Sequence, residues 1–453
     1  MIHQFEHKGE YIVLDIASGA VHTMDSLSYT LCSKITAPPE KNCPQEIVTE
    51  LAYTFPRSEI EEAYGELYEL YQEGLLFSVD EPLPIDLINP QNTPIKALCL
   101  HVSHDCNLRC QYCFAQTGDF GTVRSLMDSE IAQKAIDFVI ENSGTRHNIE
   151  IDFFGGEPLM AWETVKKTVD YANEQGKLHN KNFRFTITTN GLLLNDDIIE
   201  YINNKMCNVV LSLDGRKNIN DWMRPTISGT GSYEIIMPKF KKLAKSRGTD
   251  KDYYIRGTYT GRNLDFCQDV FDIYDNGFNQ ISLEPVIAQK DSGYELKESD
   301  LPGLREEYWH LAEKILELEE KGEYLNFFHF NVDLEQGPCV IKRLRGCGAG
   351  CEYVAITPEG DIYPCHQFVG YSDYKMGNIS DGSFDKSKAE MFSKVNIYSK
   401  EECRDCWARF YCSGGCSAAN FQANHDINKS YLIGCELEKM RLECAIYLAV
   451  KRA

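Results

Sequence analysis

Cys106, Cys110 and Cys113 stand at C-x3-C-x2-C in the stretch HVSHDCNLRCQYCFAQ. Thiolates at that spacing hold three irons of a cubane 4Fe-4S cluster and leave the fourth iron without a protein ligand. An iron with open positions binds a small molecule and does chemistry, whereas a fully ligated cluster mostly carries electrons. The bland alternative is a zinc knuckle, but the motif lacks a fourth ligand at a spacing that closes a tetrahedron.

A second thiol array fills the C-terminal region, about 340–453. Cys347 and Cys351 come first, in RGCGAGCEYVAITPEGDIYPC, and Cys365 ends that stretch. Pro358-Glu359-Gly360-Asp361 reads as a turn between two short strands. Then follow Cys403-x2-Cys406-x5-Cys412-x3-Cys416 and finally Cys435. CxxC pairs alone favour zinc ribbons, but the upstream motif points to iron. Among the other cysteines, Cys99 and Cys207 fall inside apolar runs and read as small core residues. Cys32, Cys43, Cys267, Cys339 and Cys444 have no partner at ligand spacing and read as structural.

Composition agrees with a metal-dependent enzyme. The chain has 453 residues, enough for two or three cores, and 18 cysteines. It opens MIHQFEHKGEYIVLD, which is not a secretory signal, and no run reaches the length of a membrane span. Many cysteines in a long chain without such a signal read as metal ligands in the cytoplasm rather than disulfides. The net charge is −22, from 68 acids against 46 bases. Such a field disfavours a nucleic-acid partner.

The elements that must position these thiols alternate. Apolar runs occur at 96–102, 149–154, 184–189, 207–213, 253–259 and 280–285. Helical patterns lie between and after them, near 129–142, 161–175, 195–205, 231–245, 263–275 and 301–321. This predicts an α/β architecture with a parallel sheet, an open, partial (β/α)6 TIM-like barrel. Chemistry gathers at the carboxyl ends of such strands. The cluster cysteines follow the first strand, Gly155-Gly156-Glu157-Pro158 the second, and Thr188-Thr189-Asn190-Gly191 the third. Ser212-Leu213-Asp214-Gly215 closes the fourth.

Ahead of the barrel, EYIVLDIASGAVHTMD reads as two strands around a turn. Helical segments follow, with apolar spacing at Ile47, Leu51 and Tyr53 and then across EIEEAYGELYELYQEG. A Pro-rich stretch, EPLPIDLINPQNTPI, links to the barrel. The divisions are 1–85, a linker at 86–95, a barrel over 96–330 and a Cys-rich domain over 331–453.

These loops resemble the cofactor site of radical S-adenosylmethionine (SAM) enzymes. The resemblance implies that Cys106, Cys110 and Cys113 hold the catalytic 4Fe-4S cluster and that the free iron binds S-adenosyl-L-methionine. It implies that Tyr112 lies near the adenine and that the backbone of Gly155, Gly156 and Glu157 meets the methionine amino group. Asn190 and Ser212 would touch the ribose or carboxylate, and Arg224 would pair with the methionine carboxylate. Glu284 would contact the ribose or face the substrate.

The C-terminal array resembles the SPASM extension of peptide-modifying radical SAM enzymes, which holds two auxiliary 4Fe-4S clusters. With the catalytic one, that makes three 4Fe-4S clusters. The resemblance assigns Cys403, Cys406, Cys412 and Cys435 to the farther cluster. It assigns Cys365 and Cys416 to the nearer one, together with Cys347, Cys351 or both. The N-terminal strands and helices resemble a winged-helix-like peptide recognition domain, which adds a leader peptide to its sheet edge.

The whole is similar to maturases of six-cysteine ribosomal peptides, which install thioether bridges. That implies a small Cys-rich precursor peptide as partner, its leader bound by the N-terminal domain. It also implies an electron donor such as flavodoxin or ferredoxin. His366, beside Cys365, would take the substrate thiol proton. The anaerobic sulfatase-maturating type, which oxidises a Cys or Ser to formylglycine, is the alternative. That group usually has an Asp after the cysteine corresponding to Cys365, where this chain has His366.

Overall fold

The computed structural model describes residues 1–80, 93–334 and 343–453. Most of the expected linker, and Cys339, lie outside the described residues.

Three antiparallel strands open the chain: β1 (Ile2–His7), β2 (Glu10–Asp15) and β3 (Val21–Met24). Helices α1 (Ser26–Lys34), α2 (Gln45–Leu51) and α3 (Arg57–Gln72) follow. The alternation of β2 sends Val13 toward Leu31, Val48, Ile60 and Tyr64 on the helices. Ile12 and Leu14 point the other way, into a cluster with Phe5, Ile446 and Tyr447. The N-terminal unit is therefore docked on the end of the chain. Tyr53, expected on the apolar face of α2, lies beyond that helix's end and is 92% exposed. β1 is a third strand that the sequence reading lacks, because IHQFEH does not alternate apolar and polar residues. Its histidines work at an interface instead: His3 stacks on Trp407 at 3.7 Å and His7 on Trp309 at 3.8 Å.

The central body carries a parallel sheet. Its strands are β4 (Ala97–Ser103), β5 (Asn148–Gly155), β6 (Asn182–Thr189), β7 (Asn208–Ser212), β8 (Asp252–Tyr259), β9 (Gln280–Pro285) and β10 (Asn326–Phe327). The helices around it are α4 (Ser129–Asn142), α5 (Trp162–His179), α6 (Asp196–Lys205), α7 (Lys217–Met223), α8 (Tyr233–Ser246), α9 (Phe266–Asp275) and α10 (Leu301–Glu320). The six expected strands all form, and the two-residue β10 adds to the β9 edge. β4 is buried at every position, as a strand covered on both faces must be. On β5, Ile149, Ile151 and Phe153 are buried against the helices, while Glu150, Asp152 and Phe154 face a half-open lumen.

Beyond the barrel come β11 (Tyr353–Ile356), β12 (Asp361–Tyr363), β13 (Gly377–Asn378) and β14 (Ser383–Phe384). The expected turn at Pro358–Asp361 joins β11 to β12. β11 pairs parallel with β4, Tyr353 opposite Ala97, so the C-terminal domain prolongs the barrel's own sheet. Its remaining helices are α11 (Lys386–Ser393), α12 (Glu401–Arg404), α13 (Arg409–Cys412), α14 (Ser417–Asn424) and α15 (Leu432–Arg452). Among the described residues, no helix is long and apolar enough to cross a membrane.

Candidate active site and auxiliary cluster sites

The loop after β4 gathers the three thiols of the first motif. Cys110 has both other thiols as electrostatic neighbours, and Cys106 has Cys113. Burial pushes the Cys106 thiol up to about 12 and raises Cys110 further still. Thiols in such surroundings stay protonated unless a metal takes the proton's place. Two sulfurs with that property, gathered with a third on one loop, fit a cluster rather than a nucleophile.

Two glycines hold this loop against β5. A Cβ on Gly155, whose φ is +128°, would meet the Ser103 carbonyl oxygen at 2.1 Å. A Cβ on Gly156 would meet that of Asp105 at 2.2 Å. The Gly156 N–H donates to Ser103 O at 2.7 Å and the Glu157 N–H to Asp105 O at 2.8 Å. The close approach that glycine permits here is therefore between this turn and the cluster loop itself.

Glu157 is 1% exposed and links the second loop to the third. Its carboxylate accepts from the Asn190 N–H at 2.8 Å, the Thr189 hydroxyl at 2.7 Å and the Leu159 N–H at 3.1 Å. Burial raises its pKa to about 7 against those three bonds. Asn190 Nδ2 lies 3.6 Å from Cys106 Sγ and donates to Asn107 Oδ1 at 2.8 Å. Ser212 ends β7, half-buried, in register with Arg256 on β8.

Arg224 is not free. Its guanidinium donates twice to Asp214, Nε to Oδ2 at 2.9 Å and Nη2 to Oδ1 at 3.0 Å. The Tyr112 hydroxyl donates to the same carboxylate at 2.8 Å, and the Thr258 N–H adds a further bond at 2.9 Å. Burial works to lower the Arg224 pKa, but Asp214, Tyr112 and Cys110 outweigh it and keep the guanidinium charged. Asp214 went unassigned in the sequence reading. Its only signal was the SLDG motif at the end of the fourth strand.

His366 lies at the lumen wall between the two metal motifs. Its ring is 5.5 Å from Phe114, which follows Cys113, and 5.0 Å from Phe154 on β5. Nδ1 lies 3.3 Å from the Tyr353 hydroxyl. Burial, with Arg256 adding to it, lowers its pKa to about 4. The imidazole is neutral at physiological pH and has a lone pair to accept a proton. Across the lumen, Glu284 lies 3.3 Å from Arg256 Nη2 and 3.7 Å from His329 Nε2. Burial acts to raise the Glu284 pKa, but His329, Arg256 and Arg441 hold it below the usual carboxylate range. This polar wall was not foreseen beyond Glu284, because its members come from four distant segments.

The second array separates into two sets. Cys365 has Cys416 and Cys347 as thiol neighbours, and Cys416 has Cys347. Cys435 neighbours Cys403 and Cys406, and Cys412 neighbours Cys435 and Cys403. Cys351 has Cys347 as a thiol neighbour, and its Sγ is turned to the Gly348 carbonyl at 3.4 Å. Burial raises Cys365, Cys412, Cys416 and Cys435 alike, the same behaviour as in the first loop.

The radical SAM superfamily pattern matches residues 100–260, and the iron-sulfur cluster-binding SPASM domain matches residues 347–407. The cysteine-type anaerobic sulfatase-maturating enzyme of Clostridium perfringens is 26% identical over 344 residues, 71% of this chain and 89% of that protein. The mycofactocin maturase MftC of Mycobacterium ulcerans is 26% identical over 340 residues, 72% of this chain and 84% of that protein. Among solved structures, anSMEcpe with bound AdoMet superimposes with a TM-score of 0.65 at 21% identity, over 79% of this chain and 98% of that chain. Streptococcus suis SuiB bound to precursor peptide SuiA superimposes with a TM-score of 0.50 at 17% identity, over 95% of this chain and 97% of that chain. The chain carries a radical SAM domain and, C-terminal to it, a SPASM domain. Those two domains bring iron–sulfur clusters and SAM as its cofactors.

Proposed function

We propose that this chain is a radical SAM peptide maturase that joins cysteine sulfurs to acceptor carbons within a ribosomally made, Cys-rich precursor peptide. One observation carries the thioether reading. The nearer auxiliary site gathers Cys347, Cys365 and Cys416 while Cys351 is turned to its own loop. That arrangement leaves a place for a substrate thiolate.

Cys106, Cys110 and Cys113 would hold the first of three clusters, and Cys403, Cys406, Cys412 and Cys435 the last. The bound cofactors supply hydrogen-atom abstraction and an electron acceptor. Forming a C–S bond from S–H and C–H removes two hydrogens, so the protein must take up a proton and give electrons an exit. His366, which follows Cys365 in the chain, would accept the thiol proton once coordination to a cluster has made that thiol acidic, against the burial that weakens the imidazole as a base. Arg224 would turn its charge to the methionine carboxylate, with Asp214 and Tyr112 fixing its position. Asn190, set beside Cys106, and Ser212 would bind the remaining polar groups of SAM. Flavodoxin or ferredoxin would supply the priming electron.

The N-terminal unit supports a peptide substrate. Its three-stranded sheet has two edges without a strand neighbour among the described residues, as β-augmentation by a leader requires. SuiB, solved with its precursor peptide, matches 95% of this chain, whereas anSMEcpe matches 79%. The second reading, formylglycine formation, draws on relatives named as sulfatase-maturating enzymes.

Mass spectrometry of a candidate peptide treated with reduced enzyme and SAM separates the two. Thioether formation removes two hydrogens per bridge and protects that sulfur from alkylation. Formylglycine formation from cysteine removes the sulfur.

A further inference from the structure

Lys400 is 2% exposed, an unusual place for a lysine. It immediately precedes α12, and its carbonyl accepts the Cys403 N–H at 3.2 Å. Its Nζ donates to the Gly414 carbonyl at 2.5 Å. Gly414 lies in the loop between Cys412, of the farther set, and Cys416, of the nearer set. An ammonium has three donors, and this one has a single carbonyl acceptor and, among the described residues, no carboxylate partner. What surrounds it instead is sulfur: Cys403, Cys412, Cys435 and Cys416 are its electrostatic neighbours. A buried cation held in this way needs negative charge nearby, and the thiolates of a loaded cluster supply it.

We propose that the Lys400 ammonium is a positioning residue for electron transfer, a fixed charge between the two auxiliary sites that makes the farther cluster easier to reduce. The inference rests on the reading that both sites hold clusters. A positive charge beside the thiolates stabilises the extra electron, and burial keeps water from screening it. Three of the four neighbouring thiols, Cys403, Cys412 and Cys435, belong to the farther set, so the charge favours that cluster and draws electrons onward from the nearer one.

The test uses the full-length protein with Cys106, Cys110 and Cys113 replaced by alanine, so that only auxiliary clusters give a signal. Iron content and visible absorbance first report whether clusters are present. Their absence from this parent protein would sink the cluster assignment and leave Lys400 without a role. With clusters present, a potentiometric titration followed by electron paramagnetic resonance compares Lys400 with Lys400→Met and Lys400→Arg. The Met variant should lose at least tenfold in the reduction equilibrium of one cluster, about 59 mV for one electron. The Arg variant should recover most of it. An unchanged potential in a Met variant with intact clusters would overturn the proposal.

If the Met variant loses its clusters, the parent protein still decides the question. With 15N-labelled lysine and Lys439→Arg in the same protein, to remove the other lysine beside Cys406 and Cys435, pulsed resonance of the reduced farther cluster should show coupling to a lysine nitrogen. No such coupling would also overturn it.

Discussion

Arg224 and Asp214 form a two-point ion pair in which Asp214 is wholly buried and Arg224 is 11% exposed. Tyr112 and the Thr258 N–H complete the carboxylate's partners. The pair joins the cluster loop to the ends of β7 and β8, so the residue expected to bind a ligand is fixed before the ligand arrives. Removing Asp214 leaves a buried guanidinium uncompensated. Asp214→Ala should therefore cost about 3–5 kcal/mol of stability, read by denaturant unfolding of the metal-free protein. An unfolding midpoint close to the parent's would show that water or another group takes the carboxylate's place.

Replacing Cys106, Cys110 and Cys113 together with alanine should abolish 5′-deoxyadenosine formation. The protein should keep roughly eight of about twelve irons, since each cubane holds four. Cofactor cleavage that persists in this variant would mean the catalytic cluster is held elsewhere.

The barrel was legible in the sequence because apolar strand runs, alternating on β5, β6 and β7, take turns with amphipathic helical patterns. Ile149, Ile151 and Phe153 announce β5 by themselves. The cluster thiols were legible for a different reason: ligand spacing is a local property of the chain. The lumen was not. Arg256 on a strand, His329 in a helical turn and Arg441 on α15 are ordinary residues until folding brings them to Glu284, and Asp214 is an ordinary loop residue until it meets Arg224 and Tyr112. β1 was missed because its histidines face tryptophans rather than a core. The roles of Gly155 and Gly156 needed coordinates, since the backbone they approach belongs to another strand.

Asp152 faces the lumen, where burial raises its pKa from 3.8 to about 6, Glu150 adds to the shift and Thr186 opposes it. A folded-state value above the unfolded one means that the folded protein holds the proton more tightly. The ionisation penalty is absent below 3.8 and complete above about 6. Asp152→Asn should thus raise Tm at neutral pH and change it little near pH 4. An equal gain at both pH values would point to packing rather than charge.

The N-terminal sheet buries Phe5, Ile12 and Leu14 against Ile446 and Tyr447. Deleting it would uncover that apolar face, so leader binding is better probed from the peptide side. If the leader adds a strand, each main-chain bond contributes about 0.5–1.5 kcal/mol. A proline in the bound strand should weaken affinity severalfold or more, by calorimetry, and leave uncoupled SAM cleavage unchanged. Equal affinity for proline-containing and parent leaders would remove strand addition as the binding mode.

Cys347 and Cys351 should behave differently although both precede β11. Cys347 lies among Cys365 and Cys416, whereas the Cys351 thiol is 8% exposed and donates to Gly348 O at 3.4 Å. Gly348, at φ +79°, turns the chain between them. Cys347→Ser should lose one cluster's worth of iron, about four atoms, while Cys351→Ser should keep the parent's iron content. A cluster held by Cys347, Cys365 and Cys416 has one iron open to the substrate. Adding the Cys-containing peptide should then perturb the auxiliary signal in electron paramagnetic resonance, and a Cys-to-Ser peptide should leave it unchanged. The carboxylates facing the lumen, Asp152 and Glu284, would repel a free thiolate, so coordination is the means by which the sulfur keeps its charge there. Iron loss in Cys351→Ser equal to that in Cys347→Ser would close the site with four protein thiols, and the nearer cluster would then serve to relay electrons alone.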